Sequence, residues 1–235
     1  LSDVMSGALD TLAPTGAVLA GGHSSEGAEL AFGLTVNGLI AKDALLRKGG
    51  MQPGDILILT KPIGTGTLFA ADMRGKAKGR WIDEAIRSML VSNQAAAACL
   101  HRRRATACTD VTGFGLLGHL VEMTRASDTD AHLELEAVPL LEGAAQTVAA
   151  GILSSLQPQN VRLRRAVRNP EALGAHPRYP LLFDPQTAGG LLASVPADEA
   201  SACLDELSEL GYAHAAIIGR IEPRTSTAAP IEVSS

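Results

Sequence analysis

Aromatic side chains are scarce, at 3% of the 235 residues. A core built from this chain must rest on Leu, Ala, Val and Ile rather than on stacked rings. Cysteine is scarce too. Cys99, Cys108 and Cys203 are an odd number with no C-x-x-C spacing, which argues against a disulfide framework or a zinc site. That usage fits a reducing compartment, so a cytoplasmic location is expected. No run reaches the roughly 18 apolar residues of a membrane span, and no secretory signal pattern is visible. Basic charge is in deficit, with a net charge of −5. A broad nucleic-acid surface needs a basic face, so neither nucleic acid nor membrane is an expected partner.

What is present is an ordinary globular balance, 46% apolar and 19% charged. A compact chain of this length buries roughly 70–75% of its unfolded surface and needs no disulfide or metal to hold a core. Residue 1 is Leu, and Leu1, Val4, Met5, Ala8, Leu9 and Leu12 follow at helical spacing. A start inside a helix leads us to expect a piece of a longer polypeptide. Ala17–Ala20 and a stretch around Leu30 to Ile40 read as strands. The clearest break is Lys48-Gly-Gly-Met-Gln-Pro-Gly-Asp55, where we expect a domain boundary.

Beyond it, strands and helices alternate. Asp55–Thr60 reads as a buried strand, Trp81 to about Arg103 as one helix, and Thr106–Thr109 as a strand ending at Asp110. Leu116 to Ser127 is helical, Ala131–Val138 a half-exposed strand, and Leu140–Ala150 helical. Residues 151–180, with three prolines, read as irregular. Leu181–Phe183 and Gly190–Val195 read as strands, and Pro196–Gly211 as a helix that Asp198 can cap. Ala213–Ile221 is a last strand, and the tail beyond Glu222 is expected to fray. His101-Arg-Arg-Arg104 is the one basic run, read as a solvated helix end ahead of an anion site.

Three loops follow strand-like runs and are dense in small residues, a composition that lets backbone N–H groups approach an anion. Gly21-Gly22-His23-Ser24 is either a nucleotide contact or a plain tight turn. Thr109-Asp110-Val-Thr-Gly-Phe-Gly115 offers a carboxylate at a strand end before a helix start. Such a residue can ligate Mg²⁺ beside a phosphate, or simply cap a turn. Asp184-Pro-Gln-Thr-Ala-Gly-Gly190 is either a ligand loop or a structural turn. Lys61-Pro-Ile-Gly-Thr-Gly66 lacks the Gly-Lys-Ser/Thr ending of a phosphate loop and reads as a strand-to-helix turn. His119 reads as packed or capping, and Cys108 as a buried, inert thiol. No Ser-His-Asp or Cys-His arrangement suggests itself.

Taken in order, LAGGHS (19–24), PGDILILTKPIGTG (53–66), CTDVTGFGLLGHL (108–120) and LLFDPQTAGGLL (181–192) resemble the selenophosphate synthetases, or selenide, water dikinases, within the aminoimidazole-ribonucleotide-synthetase-like superfamily. The resemblance runs from Leu1 to about Glu222. It implies an α+β fold: a C-terminal domain over about 50–235, with helices packed on a mixed sheet. Residues 1–42 would be the tail of an N-terminal, ATP-binding α+β domain. It further implies synthesis of selenophosphate from ATP, selenide and water with release of AMP and phosphate, a requirement for Mg²⁺, and a homodimer of the full-length protein. By motif, Gly22, His23 and Ser24 would contact ATP and Asp110 would ligate Mg²⁺.

The departure concerns a mobile segment that, in the family, carries a reactive Cys or selenocysteine with a nearby Lys, and further metal-binding Asp residues. None of these can be matched here. No catalytic nucleophile is therefore assigned, and this polypeptide alone is expected not to make selenophosphate. Two alternatives stand beside that expectation. One is a sister enzyme acting on a purine precursor, a thiamine phosphate or a hydrogenase-maturation substrate. The other is a non-catalytic binding or assembly module.

Overall fold

The computed structural model describes residues 1–225 and 228–235, which fall into two compact units, Leu1–Asp43 and Ala44–Ser235. The first unit contains helix α1 (Ser2–Leu12) and a 3-10 turn at Ala13–Thr15. The strands expected at 17–20 and around 30–40 are absent. Leu30, Phe32, Leu34 and Val36 keep the alternation of a strand, but they are exposed and no ladder pairs with them. A strand needs a neighbour to satisfy its backbone groups, and pattern alone does not supply one.

The second unit is built on one six-stranded sheet. Its strands are β1 (Ile56–Leu59), β2 (Ala107–Asp110), β3 (Asp130–Glu134), β4 (Leu191–Val195), β5 (Ala216–Glu222) and β6 (Ile231–Ser234), in the order β2-β4-β1-β5-β3-β6. Neighbours run antiparallel except β3 and β6, so the sheet is mixed, as expected. The helices are α2 (Thr65–Asp72), α3 (Gly79–Leu90), α4 (Gln94–Arg102), α5 (Gly115–Ser127), α6 (Ala144–Ala149), α7 (Gln157–Asn160), α8 (Pro170–Leu173) and α9 (Ala200–Glu209).

Helices cover both faces of the β2-β4-β1 region. Leu57, Leu59, Ala107 and Leu192 join a core with Leu68 of α2, Ala85 of α3 and Leu116 and Leu120 of α5. The alternate residues Ile58, Cys108, Ala193 and Val195 join a second core with Ala96 and Leu100 of α4 and Cys203 and Leu207 of α9. Burial on both sides explains why Asp55–Thr60 reads as a continuous apolar run rather than an alternating one.

Several expected boundaries shift for local reasons. The long helix expected from Trp81 to Arg103 breaks at Val91–Asn93. There Ser92 Oγ accepts the Gln94 N–H and Val91 turns extended, the competition with helix that Ser and Asn side chains offer. Residues 181–183 form a 3-10 turn, not a strand, and β3 gives way to a 3-10 turn at Leu135. The helix expected from Leu140 is confined to α6, because Leu140 bridges to Ile63 instead. Asp198 does not cap α9. Its carboxylate meets Arg104 at 2.7 Å, while Glu206 accepts from Arg102 and Arg103 and Glu199 from Arg104. The three arginines of the basic run are thus paired with carboxylates just before α9 and within it.

The tail expected to fray is held. Strand β6 pairs parallel with β3. Asp130, fully buried, accepts bonds from Arg168, from Arg224 (2.8 Å) and from the Thr225 N–H and hydroxyl (2.8 and 2.6 Å). Burial alone would raise its pKa, but those bonds and the Arg168 charge hold it below the usual carboxylate range. Asp130→Ala leaves two guanidinium groups without their common partner. Denaturant unfolding should show a loss of about 3 kcal/mol, the low end for breaking a buried pair, and the Ile231–Ser234 amides should exchange faster with solvent.

Candidate functional site

Strands β1 and β2 both run antiparallel to β4, with Leu59 opposite Leu192 and Asp110 opposite Leu191. The end of β1, the end of β2 and the start of β4 therefore lie at one edge of the sheet. The loops 60–66, 111–114 and 184–190 all emerge there.

The 184–190 loop ties the other two together. Gln186 Oε1 accepts the N–H groups of Gly64 (2.9 Å) and Thr65 (3.1 Å) and the Thr65 hydroxyl (3.2 Å), and Asp184 Oδ2 accepts the Gly66 N–H (3.1 Å). The first amides of α2, which its own turns cannot satisfy, are capped by side chains about 120 residues away. They are not available to an anion, so the turn reading of 61–66 holds. On the other side, the Gln186 N–H donates to Thr112 O (3.0 Å) and the Val111 N–H to Gly190 O (2.8 Å). Asn160 Nδ2 pins the same region through Gly113 O (2.8 Å) and Phe183 O (3.0 Å), so part of the stretch expected to be irregular is fastened to the site.

Two glycines of these motifs are needed for this loop-to-loop contact. A Cβ on Gly189 would stand 2.1 Å from Val111 O, and one on Gly115, at φ +70°, 2.8 Å from the Phe183 carbonyl carbon. Gly113 faces open space and lies in the exposed Gly113-Phe114 tip.

Within the knot, Asp184 is fully buried and Lys61 nearly so. Burial pushes the Asp184 carboxyl up to about 7, against the bonds it receives from Thr67, Gln186 and Gly66. Its Oδ1 is buried without a hydrogen-bond partner. Burial lowers the Lys61 pKa, and its ammonium donates to Val91 O (2.5 Å) and Ala188 O (3.2 Å).

Asp110 ends β2 with its side chain exposed and, among the described residues, in no ion pair. A free carboxylate beside an open loop can serve as one ligand of Mg²⁺, which takes one or two carboxylates together with phosphate oxygens and water. Among the described residues no group of three or more His, Cys, Asp or Glu side chains gathers to complete a centre. His119 is packed: its Nε2 accepts the Thr112 N–H (3.0 Å), which places the proton on Nδ1, and burial lowers its pKa. It holds the loop next to Asp110. Gly22, His23 and Ser24 lie in the first unit and are exposed.

All three thiols are buried. Burial pushes Cys108, aided by the charge of Asp110, and Cys203 up to about 12, and raises Cys99 as well. Burial and a raised pKa both disfavour the thiolate that acts as a nucleophile. The sequence pattern singled out the 184–190 loop as a ligand loop or a structural turn, but it did not single out the capping roles of Asp184 and Gln186, or Asn160. The sole signal for them is that polar side chains inside an apolar run need partners.

A mixed sheet clad by helices, with its glycine-rich loops gathered at one edge, defines the class. It is the α+β domain seen also in the hydrogenase maturation protein HypE of E. coli (TM-score 0.55, 18% identity, covering 81% of this chain and 49% of that one). The chain belongs to the family described as AIR synthase related protein, C-terminal domain, whose model matches residues 52–231. It is 41% identical over 227 residues to a selenide, water dikinase of Geobacter metallireducens, and 35% identical over 221 residues to selenide, water dikinase 2 of Peptoclostridium acidaminophilum. Those matches cover 95% and 94% of this chain, which spans 65% and 63% of the two relatives.

Asp184 carries a testable pH dependence. Its folded pKa, about 7, lies above the ordinary carboxyl value of 3.8. The folded state therefore binds the proton more tightly, and the stability this contributes is full at low pH and lost as pH rises through about 7. Asp184→Asn keeps an acceptor for the Gly66 N–H and removes the titration. Urea midpoints should fall for the wild-type chain relative to the variant across the window from about 4 to about 7. Parallel pH profiles for the two would refute the assignment.

Proposed function

We propose that this chain forms part of a selenophosphate synthetase, an enzyme converting ATP, selenide and water into selenophosphate, AMP and phosphate. The observation that carries the reading is the 41% identity to a selenide, water dikinase across 95% of the chain. The exposed Asp110 beside the DVTGFG loop supports it. Residues 1–42 would be the tail of the ATP-binding domain and 50–235 the C-terminal domain, and the division of the chain after Asp43 supports that partition. Gly22, His23 and Ser24 would contact ATP, and the full-length protein would act as a cytoplasmic homodimer.

In this reading Asp110 would be one ligand of Mg²⁺, which when bound neutralises charge on the phosphate oxygens. The remaining roles belong to the chain. His119 and Gln186 hold the 111–114 loop from two sides. The Gly113-Phe114 tip presents open backbone beside Asp110. The chemistry also needs a nucleophile, and none of the three buried thiols serves. This chain by itself is therefore expected to be inactive.

The test is AMP formation from Mg-ATP with and without selenide, on a polypeptide of the relatives' full length and on this chain. Selenide-dependent AMP is expected from the former and none from the latter. ADP in place of AMP, or no dependence on selenide, would transfer the assignment to the sister enzymes. Asp110→Ala in the longer polypeptide should lower the rate by more than the roughly 10–100-fold that loss of an outer-shell partner costs. Its unfolding free energy should stay within about 0.5 kcal/mol, because the side chain is exposed.

A further inference from the structure

A cavity of about 230 Å³ opens between α3, the end of β1 and the turn that leads into β5. Its walls include Val91 and Tyr212, whose hydroxyl is already engaged with Ser92 O and the Ala96 N–H. Its polar lining includes Lys61, Arg87, His214 and a single acid, Glu84. Lys61 is the unusual member. It is 4% exposed, and among the described residues it has no carboxylate partner. An ammonium has three donors and no acceptor. Two donors are spent on the carbonyls of Val91 and Ala188, and the residue lines the cavity. Buried cations are ordinarily paired, because an uncompensated charge is costly to desolvate. Arg87, exposed on α3 one turn before Val91, also has no ion pair among the described residues.

We propose that this cavity is a binding site for a small organic anion, with a carboxylate or phosphate head against Lys61 and Arg87 and an apolar body against Val91 and Tyr212. The volume lies below the roughly 300–1,000 Å³ of pockets for drug-sized ligands, which limits the body to about one ring. The site lies apart from Asp110 in its lining, and the proposal does not depend on the enzymatic assignment above. It adds a consequence: the ammonium that would meet the anion also holds Ala188, so occupancy would be felt by the 184–190 loop.

Heteronuclear NMR titration of the 235-residue chain tests it, with phenyl phosphate and benzoate as probes, phenol as the body without a charge and inorganic phosphate as the head without a body. Saturable shifts at the Arg87, Val91 and Tyr212 amides are expected from phenyl phosphate or benzoate in the low-millimolar range, and neither control should saturate there. Whichever of the two binds more tightly identifies the head. Arg87→Ala and Lys61→Met should each weaken binding about tenfold, as removal of a charge-assisted hydrogen bond does. Arg87 is exposed, so its variant remains informative if Lys61→Met unfolds. No saturable shift from either anion, saturation by phenol alone, or unchanged affinity in Arg87→Ala would overturn the proposal.

Discussion

Gln186 Oε1 takes three donors at the start of α2, and the N–H of the same residue holds Thr112 O. That one side chain and its backbone fix the loop after β1 against the loop after β2. Asp184 caps the next amide of α2 and is itself held by Gln186 Nε2. An unmade bond in such a buried network costs more than a made one contributes, so the three loops behave as one body. The position of Asp110 follows from this, because the residues after it are fastened to a buried knot rather than left to a surface turn.

The knot works because the sheet beneath it is closed on both faces. The β2-β4-β1 strands put alternate side chains into two separate cores, and α4 and α9 cover the face that α2, α3 and α5 do not. The break between α3 and α4 belongs to the same arrangement. It frees the carbonyls of Val91 and Ser92, which accept from Lys61 and Tyr212, and it lets Asn93 Nδ2 reach Gly189 O (2.9 Å). A continuous helix would consume those carbonyls internally.

The chemistry of the site divides cleanly between groups that are free and groups that are spent. Asp110, the Gly113-Phe114 tip and Thr187 face outward. The thiols, His119 and most of the polar atoms of the 60–67 and 184–190 loops are engaged or buried. What faces outward is a carboxylate beside open backbone at one edge of the sheet, while all three thiols are buried.

The sequence by itself determined the alternation of strand and helix beyond residue 55, the buried character of β1 and β4, and the loop motifs with their family resemblance. These are local properties: an apolar run bounded by Gly and Pro reads the same wherever it is placed. The strand pattern at 30–36 was legible too, but a ladder requires a second strand, and none pairs with it in the first unit. Tertiary structure alone decided that the three loops meet, because their meeting depends on β4 lying between β1 and β2 in antiparallel register. It also decided that Gln186 caps a helix some 120 residues away and that the C-terminal segment becomes β6. Each of these is a hydrogen bond between residues far apart in the chain, and a bond of that kind leaves no period or composition for a sequence reading to find.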